Sequence, residues 1–332
     1  MGCDGCELWP GAGQVVTAVA NRLQNELGIS ARAILRKAIG GQALSQIYTR
    51  RESLGKSVAK ALGDARVTQV VVDGVRNQAK CYAGLLGTFR PGHAGYADQF
   101  ERPKLFAGRM AEAASLGLPT DGEQHAKPWL AGCSRMIFVS DMGDALARRV
   151  PFEFLKDEII ENVGSLKGRR HLWLWLTKRP ARMAEFGQWL ARQGVGWPEN
   201  LVPMTTVTSP TNQARVAELR RVPSRLRGLS CEPLLGPLDL DCAGIDWVVV
   251  GGGSDILAEP FHVEWALEIR TRCQAAQTAF FLKQLGRNPF YRGKPIPLAD
   301  PHGGDWDEWP IKAWRVRDVP RGFRERRPAQ AA

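Results

Sequence analysis

Three cysteines form the pattern richest in chemistry: Cys3 and Cys6 in Gly2-Cys3-Asp4-Gly5-Cys6, and Cys81 in Lys80-Cys81-Tyr82-Ala83-Gly84. A Cys-x-x-Cys pair places two thiolates on one metal centre. A distant cysteine on a small-residue turn supplies a third, so Cys3, Cys6 and Cys81 are the expected metal ligands. Three ligands leave a tetrahedron open at one corner. A structural zinc site fills all four corners, whereas an open position is where chemistry happens. The other four cysteines, Cys133, Cys231, Cys242 and Cys273, lie in or beside apolar segments and read as small buried side chains.

A second set of candidates follows short apolar runs. Ser140-Asp141 comes after Met136-Ile137-Phe138-Val139, Thr177-Lys178-Arg179-Pro180 after Leu172-Trp173-Leu174-Trp175-Leu176, and Cys231-Glu232-Pro233 after Leu226 to Ser230. Gly251-Gly252-Gly253-Ser254 follows Trp247-Val248-Val249-Val250, and Lys283-Gln284 follows Phe280-Phe281-Leu282. Asp141 and the run Gly251, Gly252, Gly253 and Ser254 are candidate cofactor-binding residues, because glycines after a buried strand let a ligand approach backbone N–H groups. A tight turn explains the glycines equally well. Lys178, Glu232 and Lys283 are candidate catalytic groups. Anion binding by Lys178 competes with a helix-start surface role, and proton transfer by Glu232 with a role in shaping the strand exit.

These residues need elements that bring strand ends together. From about Ala126 to Gln284, continuous apolar strands alternate with amphipathic stretches at Phe152 to Val163, Pro180 to Arg192, Asn212 to Arg221 and Val263 to Ala276. That alternation predicts a parallel sheet covered by helices, and about six units favour an α/β fold of the complete or partial (β/α) barrel kind. Functional groups of such a barrel gather on the rim where strands end. Residues 12–80 read as helices: Val15, Val19, Leu23 and Leu27 recur every four residues, Ser30 is placed to cap a second helix with Ile34, Leu35 and Ile39, and Leu54, Val58 and Leu62 form a third stripe. The expected organisation is a barrel-like domain from 1–11 and 81–314, a basic helical insertion at 12–80 and an Arg-rich tail at 315–332. Residues 92–96 and 116–128 read as loop and connector.

Taken together, the Cys3-x-x-Cys6 opening, Lys80-Cys81-Tyr82-Ala83-Gly84, Phe138 to Asp144, Leu176 to Pro180, Ser230 to Pro237, Val250-Gly251-Gly252 and Phe281 to Gln284 resemble the three-Cys-motif phage protein family, a phage-associated domain of unknown function. That family resembles radical S-adenosylmethionine enzymes. The resemblance implies a barrel of that type and a [4Fe–4S] cluster on Cys3, Cys6 and Cys81. It further implies Tyr82 shielding the cluster edge and S-adenosyl-L-methionine bound at the open iron and cleaved by one electron to start radical chemistry. Gly253 stands where the resemblance leads one to expect a glutamate.

The chain of 332 residues carries a net charge of +11. Residues 12–80 hold eleven Lys and Arg against Glu26, Glu52, Asp64 and Asp73, and residues 315–332 hold six Arg against Asp318 and Glu325, so these two segments account for the whole excess. Local excess of this kind points to a polyanionic partner, with a solvated helical surface as the plain alternative. No apolar run approaches the roughly 20 residues of a membrane helix and no basic-then-apolar leader opens the chain, which predicts a cytoplasmic protein with reduced thiols. His262-Val263-Glu264 lacks the following P-C-x-x-C of a zinc deaminase, and neither a G-x-S-x-G nor a Walker glycine loop occurs. The three cysteines together with the family resemblance imply an iron–sulfur, radical S-adenosylmethionine-like enzyme, and the basic segments point to nucleic acid or a nucleotide-derived substrate. The rival expectation is a non-catalytic nucleic-acid-binding protein with a structural zinc, His93 or another residue completing the ligand set. A rim enzyme without metal is a third.

Overall fold

The computed structural model describes residues 9–79, 81–91, 93, 96–140, 143–255 and 258–324, with Tyr82 as backbone only. The chain divides into two compact units, one from Met1–Phe106 with Asp141–Arg149, the other from Ala107–Ser140 with Val150–Ala332.

The first unit is helical: α1 (Ala12–Leu27), α2 (Arg32–Ile39), α3 (Leu44–Thr49), α4 (Arg51–Leu62), α5 (Val67–Arg76) and α6 (Tyr82–Phe89). The four-residue apolar spacing does what it predicts, since Val15, Val19 and Leu23 of α1, Leu35 and Ile39 of α2, and Leu54 and Val58 of α4 are all buried in one core. Helix α5 packs on both α1 and α4 and buries Val67, Val70, Val71, Val72 and Val75. Ser30 does not cap α2. The helix starts at Arg32 with Ala31 as its N-cap residue, and no side chain caps it.

Trp9 locks the start of this unit to α6. Its ring lies so close to the Gly84 backbone that a Cβ at 84 would sit 2.4 Å from Trp9 Cε3. Its indole Nε1 donates to Glu101 at 2.7 Å, and the same carboxylate accepts from the Ser45 backbone N–H and hydroxyl at 3.0 and 2.7 Å. Phe100 meets the Trp9 ring edge to face at 5.4 Å. The two ends of the helical segment are therefore held together by one buried aromatic.

The second unit opens with two short helices, α7 (Arg109–Ala114) and α8 (Asp121–Ala126). The latter stands inside the expected connector and is held by a Thr120–Glu123 capping box. Six strands follow, β1 (Met136–Phe138), β2 (Leu172–Thr177), β3 (Leu201–Thr206), β4 (Gly228–Cys231), β5 (Trp247–Gly251) and, after the two-residue β6 (Phe261–His262), β7 (Ala279–Gln284). The six long strands pair in parallel in the order β1-β2-β3-β4-β5-β7, curled into a half-barrel. Helices connect them: α9 (Phe152–Leu155), running through a π turn into α10 (Glu161–Gly164), then α11 (Pro180–Arg192), α12 (Arg215–Arg220) and α13 (Val263–Ala275). The β4 to β5 connection has no helix. A small second sheet joins β6 to β8 (Pro289–Tyr291) and β9 (Lys294–Pro295).

The central strands β2 to β5 are buried on both faces, as continuous apolar strands require. On the helix side Trp175 stacks on Trp197 at 5.9 Å and meets Phe186 at 5.7 Å. On the inner side Leu172, Leu174, Val202, Met204, Trp247 and Val249 form a separate core with Val319 and Phe323. The C-terminal segment also covers the β7 edge: the Leu282 N–H donates to the Val316 carbonyl at 2.8 Å and the Asp318 N–H to the Phe280 carbonyl at 2.9 Å. An edge paired in this way no longer offers a template to another strand. No helix among the described residues is long and apolar enough to cross a membrane.

Candidate functional site

Parallel strands bring all their C-terminal ends to one rim, and side chains two residues apart along a strand share a face. Thr206, Ser230, Val249 and Phe281 are register neighbours on the inner face. One step toward the rim the pattern reaches Glu232 after β4, Gly251 at the end of β5 and Lys283 in β7. Here the register breaks. Val250 pairs with Leu282 but Gly251 pairs with Gln284, so Lys283 is the extra residue of a bulge. The ladder is thus interrupted at the residue that meets Glu232. The Lys283 Nζ donates to both carboxylate oxygens at 2.8 and 3.0 Å.

Three neighbours set up this pair. Gly251 leaves space beneath it, because a Cβ there would lie 3.5 Å from Glu232 Cγ and 3.1 Å from Gln284 Cγ. The peptide bond before Pro233 is cis. Arg317 reaches the other side of β7 and donates to the Lys283 carbonyl at 3.1 Å and the Gly304 carbonyl at 2.7 Å. The Arg317 guanidinium lies 4.3 Å from the Trp129 ring centre, 4.5 Å from Trp306 and 5.7 Å from Trp309. Burial pushes its pKa down from the ordinary guanidinium value. The sequence offered no local sign of this arrangement. Arg317 reads there as one of six tail arginines, and its partners are 13 and 34 residues away. Ser230 and Thr206, buried on the inner face below the pair, were likewise hidden inside apolar runs.

Glu232 and Lys283 are thus brought together by strands that are 51 residues apart in sequence. Lys178 follows β2 on the same rim and is half-buried at the entry to α11, whose first position is Pro180. The Arg179 N–H donates to Thr177 Oγ1 at 2.9 Å, which shapes this turn. The glycine run is approached by the chain's own backbone. A Cβ on Gly252 would lie 2.3 Å from the Leu285 carbonyl oxygen, the Gly252 N–H donates to the Gln284 carbonyl at 3.2 Å, and the Arg287 N–H donates to the Gly253 carbonyl at 2.7 Å. Ser254 lies in the loop that continues from it. Cys231, beside Glu232 in sequence, points the other way, and full burial pushes its thiol up, so it stays protonated.

Cys81 is the N-cap residue of α6 and packs, part-buried, against the helical core. The first turn of a helix favours an anionic side chain. Cys3, Cys6 and Asp141 lie outside the described residues, as does the side chain of Tyr82. Among the described residues, no three His, Cys, Asp or Glu side chains gather at metal-binding distance.

A family model described as a protein of unknown function, DUF5131, matches residues 77–310, more than half of the chain. The chain belongs to the DUF5131 family. The match takes in Cys81, the whole half-barrel and the Glu232–Lys283 pair, while Cys3, Cys6 and α1 to α5 precede it. No curated protein matches the chain. No solved structure matches it either. DUF5131 membership thus establishes kinship across the half-barrel.

Proposed function

We propose that this DUF5131 protein is an iron–sulfur, radical S-adenosylmethionine-like enzyme, in which Cys3, Cys6 and Cys81 hold a [4Fe–4S] cluster and the half-barrel rim holds the substrate. The three-Cys-motif phage proteins are the kin this reading implies. The observation that carries it is the seat of Trp9 on Gly84. Trp9 stands three residues after Cys6 and Gly84 three residues after Cys81, so the residue that follows the Cys-x-x-Cys pair is seated on the helix that Cys81 caps. Three thiolates with nitrogen and oxygen groups of a small molecule in the open position suit iron; a closed zinc site asks for a fourth protein ligand.

When bound, such a cluster supplies an iron with an open position and a single electron. The chain's own residues supply the rest. Lys283 offers an ammonium and Glu232 a carboxylate at the rim, and each neutralises the other until a ligand with charged groups takes their place. Glu232 is then an acceptor able to take a proton, and Lys283 a donor for a carboxylate or phosphate. Cys231 stays a neutral thiol behind them, with no part in proton transfer.

Anaerobic reconstitution with iron and sulfide, read by metal analysis and EPR, tests the proposal. Wild type is expected to take up iron at cluster stoichiometry and Cys81→Ala to lose most of it. Equal iron in the two proteins, or one equivalent of zinc without labile iron after anaerobic purification, would sink it. The zinc result favours the non-catalytic metal-binding reading instead.

A further inference from the structure

The positive charge of the helical unit is sorted by its ion pairs. Arg22 pairs with Glu26, Arg66 with Asp64 and Arg76 with Asp73. Three of the four acids of residues 12–80 are thereby spent on α1, α5 and the turn before α5. Among the described residues, the cations left without an acid lie on α2, on α4 and at the junction before α4: Arg32, Arg36, Lys37, Arg50, Lys56 and Lys60 are exposed, Arg51 is half-buried over the Tyr48 ring, and Glu52 is the lone acid among them. Helices α2 and α4 pack on each other, and Arg50 ties them by donating to the Ala38 carbonyl at 2.6 Å. Among the described residues Arg36, Lys37, Lys56 and Lys60 have no ion-pair or hydrogen-bond partner.

We propose that the exposed faces of α2 and α4 form a docking surface for the phosphodiester backbone of a nucleic acid. Charge complementarity carries the choice of partner: cations at adjacent positions of α2, Arg36 and Lys37, and about one turn apart on α4, Lys56 and Lys60, answer a polymer with regularly repeated phosphates. An anionic membrane also attracts cations, but a surface helix holds to it by inserting apolar side chains. The exposed large apolar residues are Phe89, Leu105, Leu116, Leu118, Phe138 and Leu166, none of them on α2 or α4. Helix-dipole compensation accounts for Arg36, Lys37 and Lys60, which sit in last turns, but not for Lys56 in the middle of α4. The surface stands apart from the cluster proposal, since it uses neither a cysteine nor a rim residue.

The test is binding of the full chain to fluorescent duplex DNA and single-stranded RNA oligonucleotides of mixed sequence, by anisotropy across a salt series. Wild type is expected to bind both with affinity falling steeply as salt rises. R36Q/K37Q and K56Q/K60Q, each checked for native circular dichroism, should each weaken duplex binding at least tenfold at low salt. Each should also lower the slope of log K against log salt by about two, since every duplex phosphate that is no longer neutralised takes roughly 0.9 from it. R22Q/R66Q, which removes two cations already paired with acids, should bind like wild type. Wild-type affinity and slope in both Gln pairs would overturn the proposal, as would an equal loss in R22Q/R66Q. So would binding to phosphatidylserine vesicles, dependent on these lysines, without binding to either oligonucleotide.

Discussion

Lys283 stands at the register break of β7, and its carbonyl accepts a hydrogen bond from Arg317. Arg317 sets its planar guanidinium against tryptophan rings and donates from one terminal nitrogen to two carbonyls, and the ammonium of a lysine does not reproduce the planar contact. Arg317→Ala is expected to cost about 2 kcal/mol, the sum of a partly desolvated cation–π contact and two carbonyls losing a donor. Arg317→Lys should recover less than half of that, as read by urea denaturation; a full rescue by lysine would mean that charge alone matters. His171 makes a second residue-scale case. Its Nε2 lies 3.2 Å from the Ala114 carbonyl, and burial lowers its pKa from the ordinary 6.5. A histidine with a lowered folded pKa binds fewer protons folded than unfolded, so its neutral form stabilises the fold fully above about pH 6.5 and loses that contribution as pH falls below it. Stability should therefore drop on acidification below 6.5 more steeply in wild type than in His171→Gln. Parallel pH profiles for the two would refute the assignment.

At the scale of elements, what the sequence made legible was what repeats. Val15, Val19 and Leu23 give α1, and Leu172 to Leu176 give a strand buried on both faces, because periods of 3.6 and continuous apolar runs are local signals. Helix α8 has no apolar period to read, because its six residues bury nothing and are held by a capping box and by Arg135 donating to Glu123. The strands β6, β8 and β9 are too short to show any period. The polar groups at the strand ends could be located on a rim, whereas the pairing of Lys283 with Glu232 and the bulge beside it could not, since they depend on the register across β4, β5 and β7. The contact of Trp9 with α6 belongs to the same class, being a tertiary fit without a local pattern. It is also the easiest to break. Gly84→Ala drives a methyl into the Trp9 ring and should cost about 1–3 kcal/mol by overpacking. On the cluster reading it also lowers iron uptake while leaving every cysteine in place. Stability by denaturation and iron by metal analysis, measured on one preparation, separate the two effects. An unchanged Tm would show that the ring has room to move.

At the scale of the whole molecule, the chain combines two units with separate cores, and charge and kinship divide between them unequally. The basic excess that composition reports as one number resolves into two different things. Arg315 is paired with Asp307 and Arg317 is stacked in the barrel unit, so much of the C-terminal charge is engaged in folding. The helices α2 and α4 instead present theirs to solvent. Since the family model begins at residue 77, the cationic helices lie outside the matched region and the half-barrel inside it. Two properties resting on different residues in this way should vary separately. The combined R36Q/K37Q/K56Q/K60Q variant is expected to lose oligonucleotide binding and keep its iron, and Cys81→Ala to lose iron and keep oligonucleotide binding. Loss of iron in the Gln variant would mean that the cationic helices build the metal site rather than a docking surface, because neutralising solvent-facing side chains has no other route to the cysteines than through the helical core they share with Cys81.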